Sequence, residues 1–142
     1  YEIRSCLVGS EMCIRDSNNL VANHKSDGLI VSSATGSTAY MYSGGGPVLY
    51  PTLDVFAIMP MFSHSSSTRP LILPADDELE LKYEHNEKAK VILDGHNEFD
   101  LDSGDSLKIK NSSTRYKLIH PSDYDYFDAC RSKLYWGLPI VK

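Results

Sequence analysis

The chain has 142 residues, 42% of them hydrophobic and 23% charged, and a net charge of −5. That length serves one core and is short for two full domains, and the composition is that of a folded domain rather than a disordered chain. The acidic balance, with no Lys/Arg cluster, argues against a nucleic-acid surface, and no apolar run approaches the roughly 20 residues that cross a bilayer.

The first seventeen residues, YEIRSCLVGSEMCIRDS, carry two of the three cysteines and show no clean period. Residues 1–17 therefore read as a foreign or poorly ordered leader, set aside from the fold. Residues 18–142 are expected to form one domain. Asn18-Asn19 suits a turn, followed by short strands at Leu20–Asn23 and Leu29–Ser33. A small-residue helix is expected over Ser37–Ser43. Strands follow at Val55–Met59, Leu71–Leu73, Glu78–Tyr83, Lys90–Leu93, Ser106–Lys110 and Tyr116–Ile119. Leu79, Leu81 and Tyr83 alternate with Glu80 and Lys82, the period of a half-buried antiparallel strand.

The separators are turn-like, among them Asp94-Gly95 and Ser103-Gly104-Asp105. A helix is expected over Ser122–Leu134, with Tyr126, Phe127, Cys130 and Leu134 at helical spacing. The predicted fold class is mainly β, an antiparallel β-sandwich with a short C-terminal helix. Cys6, Cys13 and Cys130 show neither a CxxC pair nor metal-ligand spacing, and His64, His85 and His120 are scattered. No residue reads as a metal ligand, and a reduced, cytoplasmic compartment fits.

The informative stretch is Asp27–Pro47, DGLIVSSATGSTAYMYSGGGP. An apolar strand runs into a Gly-Ser-Thr turn and then a triple glycine. Glycines allow close approach of a ligand, free N–H groups at a helix start offer donors, and Thr35, Ser37, Thr38, Ser43 and Tyr40 add hydroxyls and a ring. The stretch is neither GxxxxGK[ST] nor GxGxxG, so neither standard phosphate mechanism applies. Taken by themselves, the glycines read as structural and Asp27-Gly28 as a hairpin turn. Arg69 reads as an anchor for carbonyls or a carboxylate, and Tyr124, Tyr126, Phe127 and Trp136 as packing residues. Asp123, Asp125 and Asp128 fit the dipole of the last helix, and Cys130 reads as a small buried hydrophobe.

DGLIVSSATGSTAY with SGGGP, then HSSSTRPLILP, ILDGH and HPSDYDYFDACRSKLYWG, resemble successive signatures of the NAD kinase family, in family order over nearly all of Asn18–Gly137. The resemblance implies transfer of a phosphoryl group from ATP or polyphosphate to the adenosine 2′-hydroxyl of NAD, giving NADP. It implies that Asp27 accepts hydrogen bonds from the nicotinamide carboxamide, a role that suits an acceptor-only carboxylate. Thr38, Ala39, Tyr40 and Ser43 match positions that hold the dinucleotide. Lys25 stands where many relatives have Arg, and His96 where many have Gln. Ala34 replaces the commoner Pro.

The resemblance further implies a homo-oligomer, dimer or tetramer, and Mg²⁺ accompanying the phosphate donor. The family's GGDGT loop, with the aspartate that serves as base, and its Asn-Glu or Asn-Asp ribose pair lie upstream of anything in this sequence. No catalytic residue is therefore expected in this chain, and the chain alone is expected to be inactive. Two further readings stay open: a C-terminal domain of the related lipid kinases, and a non-catalytic dinucleotide-binding or assembly module.

Overall fold

The computed structural model describes residues 2–63 and 69–137, with residues 2–10 described through their backbone. Two compact units divide at Asn111/Ser112.

The first unit begins with two long strands, β1 (Glu2–Asp16) and β2 (Asn19–Ser33), paired antiparallel. Ser17 carries the turn between them at φ 52, one residue earlier than the Asn pair suggests. The leader set aside in the sequence is thus the central strand of the sheet. Its apparent lack of period hides an alternation: Met12 and Ile14 are buried, whereas Glu11, Cys13 and Arg15 between them are not. A backbone ladder on both sides and two inward side chains are enough to place such a segment in a sheet.

The two short strands expected at Leu20–Asn23 and Leu29–Ser33 are one strand, and Asp27-Gly28 lies inside it rather than in a turn. Gly28 pairs with Cys6 of β1 on one side and with Met61 on the other. Between the pairs Cys6↔Gly28 and Ser10↔Ser26, β1 places Leu7, Val8 and Gly9 opposite Asp27 alone. Such a bulge re-aims the strand, and glycine is common beside one.

After β2 come a 3-10 turn (Thr35–Thr38), the one-turn helix α1 (Tyr40–Ser43), and strands β3 (Val55–Met61), β4 (Leu71–Pro74), β5 (Leu79–Glu84), β6 (Ala89–Leu93), β7 (Asn97–Leu101) and β8 (Ser106–Ile109). All pairings are antiparallel. The main path runs β4-β3-β2-β1-β5-β8, and the β6–β7 hairpin joins the other half of β1. The mainly β, antiparallel sandwich read from the sequence is therefore built from one branched sheet. The larger of two core clusters joins Met12, Ile14, Leu29, Val31, Phe56, Ile58, Leu79, Leu81, Tyr83 and Ala89 from five strands.

Strand β7 was not foreseen. NEFDL carries Glu98 and Asp100, which oppose strand propensity, yet as a partner of β6 it pairs Glu98 with Lys90 at 2.6 Å.

The second unit contains no strand among its described residues. Tyr116–Ile119, expected as a strand, forms none and is exposed. The described residues of its unit offer no strand to pair with, and β-propensity needs one. Helix α2 (Tyr126–Leu134) is shorter than foreseen because Asp125 is its cap, accepting the amide of Phe127 at 2.8 Å. Tyr135 at φ 54 ends it. Cys130 is buried, in keeping with a small hydrophobe.

Candidate functional site

The loop after β2 is fastened by one buried hydroxyl. Ser37 Oγ donates to the carbonyl of Ala34 at 2.7 Å and accepts the amide of Leu49 at 3.0 Å. Ser33 Oγ accepts the amide of Gly36, and Thr38 Oγ1 donates to the carbonyl of Thr35. These side-chain bonds compete with helix formation, and the expected single helix over Ser37–Ser43 breaks at Ala39, where the backbone sits at φ −93, ψ −128.

The triple glycine answers to the fold itself. A Cβ on Gly46 would stand 2.8 Å from the carbonyl oxygen of Met41, and one on Gly44 would stand 2.2 Å from Met59 Cε. Gly45 has φ +89, with open space around it. The glycines let α1 lie flat on the sheet. Met41 is fully buried there with Ile30, Ala57 and Met59.

That packing holds one of the sequence-predicted residues on the sheet. Tyr40 packs on this cluster, as does Met61. Met61 pairs with Gly28, the neighbour of Asp27. Along β2 alone, Asp27 and Ser33 are about 20 Å apart; the loop that follows folds back so that Tyr40 lies on the cluster of Ile30, Met41, Ala57 and Met59. Asp27 and Thr38 are half-buried, while Ala39 and Ser43 are exposed. Phe62 immediately follows Met61 with φ 48 and is 78% exposed. No sequence signal marks it, because backbone conformation at a strand end is not written in composition.

His96 lies in the β6–β7 turn, its Nδ1 2.7 Å from the carbonyl oxygen of Asp94. Leu93 pairs with Ile3, which pairs with Val31. The register thus puts the hairpin tip at the same end of the sheet as the start of the loop.

Lys25 stands apart, two residues before Asp27. It forms an ion pair with Glu11 at 2.8 Å, beside a shallow concavity of about 260 Å³ lined also by Met12, Cys13, Asn23, His24 and Glu84. The Lys25 ammonium, first by its hydrogen bond, holds the Glu11 carboxyl below the usual carboxylate range. Burial lowers the pKa of His24, favouring the neutral imidazole.

Among the described residues, no three of His, Cys, Asp and Glu come together as a metal site requires. No described helix is long and apolar enough to cross a membrane. In HSSSTRPLILP, His64 through Thr68 lie outside the described residues, and Arg69 is exposed.

Residues 2–121 match the ATP-NAD kinase C-terminal domain family. The chain is 42% identical over 134 residues to an NAD kinase of Cellvibrio japonicus, covering 93% of this chain and 45% of the relative. It is 46% identical over 122 residues to an NAD kinase of Pseudoalteromonas translucida, covering 84% and 42%. The fold is similar to that of yeast NADH kinase in complex with NADH, with a TM-score of 0.86 and 22% identity over 99% of this chain and 46% of that one. It is also similar to an NAD kinase from Archaeoglobus fulgidus in complex with ATP, with a TM-score of 0.70 and 28% identity over 79% and 45%. The chain thus spans less than half the length of these relatives.

Proposed function

Because the chain belongs to the ATP-NAD kinase C-terminal domain family, we propose that it supplies the dinucleotide-binding side of an NAD kinase. The reaction is phosphorylation of the adenosine 2′-hydroxyl of NAD to NADP. The 2′-oxygen forms a bond to the γ-phosphorus of ATP as ADP leaves. Polyphosphate is the other candidate donor. The observation that carries the reading is the fold-back of the loop after β2, which packs Tyr40 on the same cluster as Met61, the partner of Gly28.

In this reading the Asp27 carboxylate accepts the carboxamide NH₂ of the nicotinamide, a match of acceptor to donor. Thr38 and Ser43 offer hydroxyls, the exposed backbone at Ala39 offers polar groups, and Tyr40 offers a ring edge and a hydroxyl. His96, at the same end of the sheet as the loop's start, contacts the adenosine part, and Lys25 offers its ammonium to a phosphate. Phosphoryl transfer is mostly positioning and charge stabilisation. The contribution of this chain is positioning. Mg²⁺ enters with the phosphate donor, and no described cluster fits it.

We further place the protein in the cytoplasm as a dimer or tetramer, with no nucleic acid or membrane among its partners.

Calorimetric titration of the chain with NAD tests the reading. Saturable binding, weakened at least ten-fold by Asp27→Asn, supports it. Absence of saturable binding to the folded chain overturns it.

A further inference from the structure

Four described non-glycine residues have left-handed backbone: Ser17, Phe62, Asp94 and Tyr135. Three have an evident local reason. Ser17 and Asp94 make the β1–β2 and β6–β7 turns, and Tyr135 caps α2. Phe62 opens the connection from β3 to β4, of which residues 64–68 lie outside the described residues. A bulky L side chain at φ 48 is disfavoured, and burial does not offset the cost, because the ring is 78% exposed. Strain of this kind at an exposed aromatic residue points to use by something the residue meets.

The position of Phe62 says what that is. Strand β3 ends on the pair Gly28↔Met61; Asp27 precedes Gly28 and Phe62 follows Met61, so both leave that antiparallel pair on the same side. Tyr40, like Met61, packs against the cluster of Ile30, Met41, Ala57 and Met59. An acceptor-only carboxylate beside a flat apolar face suits one ligand shape: a planar ring with an amide on its edge. The carboxylate fixes the edge, and the ring covers the face.

We propose that Phe62 is a stacking residue for the nicotinamide ring and favours its oxidised form, a deepening that rests on the dinucleotide reading above. The oxidised ring is a cationic pyridinium, which an aromatic face attracts through its quadrupole. The reduced ring is neutral and puckers more readily, so it gains less. Stacking on an aromatic side chain contributes enough for a ten-fold effect on binding.

The test measures the affinity of the chain for NAD, NADH and ADP-ribose, which lacks the nicotinamide, in the wild type, Phe62→Tyr, Phe62→Ala and Phe62→Asn. Phe62→Ala is expected to weaken NAD by about ten-fold and NADH by about three-fold, leaving ADP-ribose within about two-fold. Phe62→Tyr keeps the wild-type pattern. Asn tolerates left-handed backbone, so Phe62→Asn is expected to hold or raise the thermal midpoint of the free chain while losing the same NAD affinity. That pairing separates a binding role from a structural one.

Equal losses for all three ligands, or no loss of NAD affinity in Phe62→Ala, overturn the stacking role alone. So does a wild type that binds ADP-ribose as tightly as NAD. A folded wild type that binds none of the three overturns the dinucleotide reading, and the stacking role falls with it.

Discussion

The buried hydroxyl of Ser37 accepts the amide of Leu49 at 3.0 Å, joining two loop segments twelve residues apart in sequence. Through its second bond, to Ala34, the same oxygen closes the 3-10 turn. The position of Tyr40 over the sheet therefore depends on a hydroxyl that need touch no ligand. Ser37→Ala would remove both of these hydrogen bonds from a buried position, a loss of about 1–3 kcal/mol. Urea unfolding is expected to show that loss, with NAD binding weakened as well. A variant as stable as the parent would show that water replaces the hydroxyl.

The glycines of the SGGGP segment are expected to respond differently from one another. At Gly46, alanine meets the Met41 backbone carbonyl, which cannot swing away as a side chain can. Gly46→Ala is expected to be the most destabilising of the three alanine replacements. Gly45→Ala meets no atom but must hold φ +89, a left-handed cost of about 1–2 kcal/mol. Gly45→Asn is expected to cost less than Gly45→Ala, because Asn tolerates that backbone. Thermal midpoints of the set check the order. Gly44→Ala, which meets only the flexible end of Met59, should be the mildest.

Lys25 and Asp27 lie two residues apart but are expected to differ in effect. Lys25 is held by Glu11 beside the concavity, whereas Asp27 adjoins Gly28, the partner of Met61 at the end of β3. Lys25→Met is expected to lower NAD affinity by less than Asp27→Asn does. An equal or larger effect in calorimetry would make the phosphate contact at Lys25 the stronger of the two and move the centre of the site along β2.

Burial lowers the pKa of His24 below its ordinary value of 6.5. The unfolded chain thus binds the proton more readily than the folded one. The stability involved is fully present above the unfolded value and is lost as pH falls through it toward the depressed folded value. The thermal midpoint is expected to fall between pH 7.5 and pH 5.5, and His24→Gln should remove part of that fall. An imidazole titration curve centred above pH 6.5 would contradict the assignment.

Sequence alone determined the fold class, the order of most strands and the last helix, and it singled out the Asp27–Pro47 stretch as the candidate site. These are legible because alternation such as Leu79, Leu81, Tyr83, turn dipeptides such as Asp94-Gly95, and short motifs are local properties of the chain. Tertiary structure decided the rest. It put residues 2–16 in the middle of the sheet, made one strand of two across Asp27-Gly28, and recruited the acidic NEFDL segment as β7. It left Tyr116–Ile119 without a strand to pair with. It also folded Tyr40 back onto the cluster of Ile30, Met41, Ala57 and Met59 and left Phe62 exposed at the end of β3. The physical reason is common to all of these. Pairing partners and fold-back contacts join residues far apart in sequence, and a strand, an exposed ring or a closed loop exists only when its partner is in place.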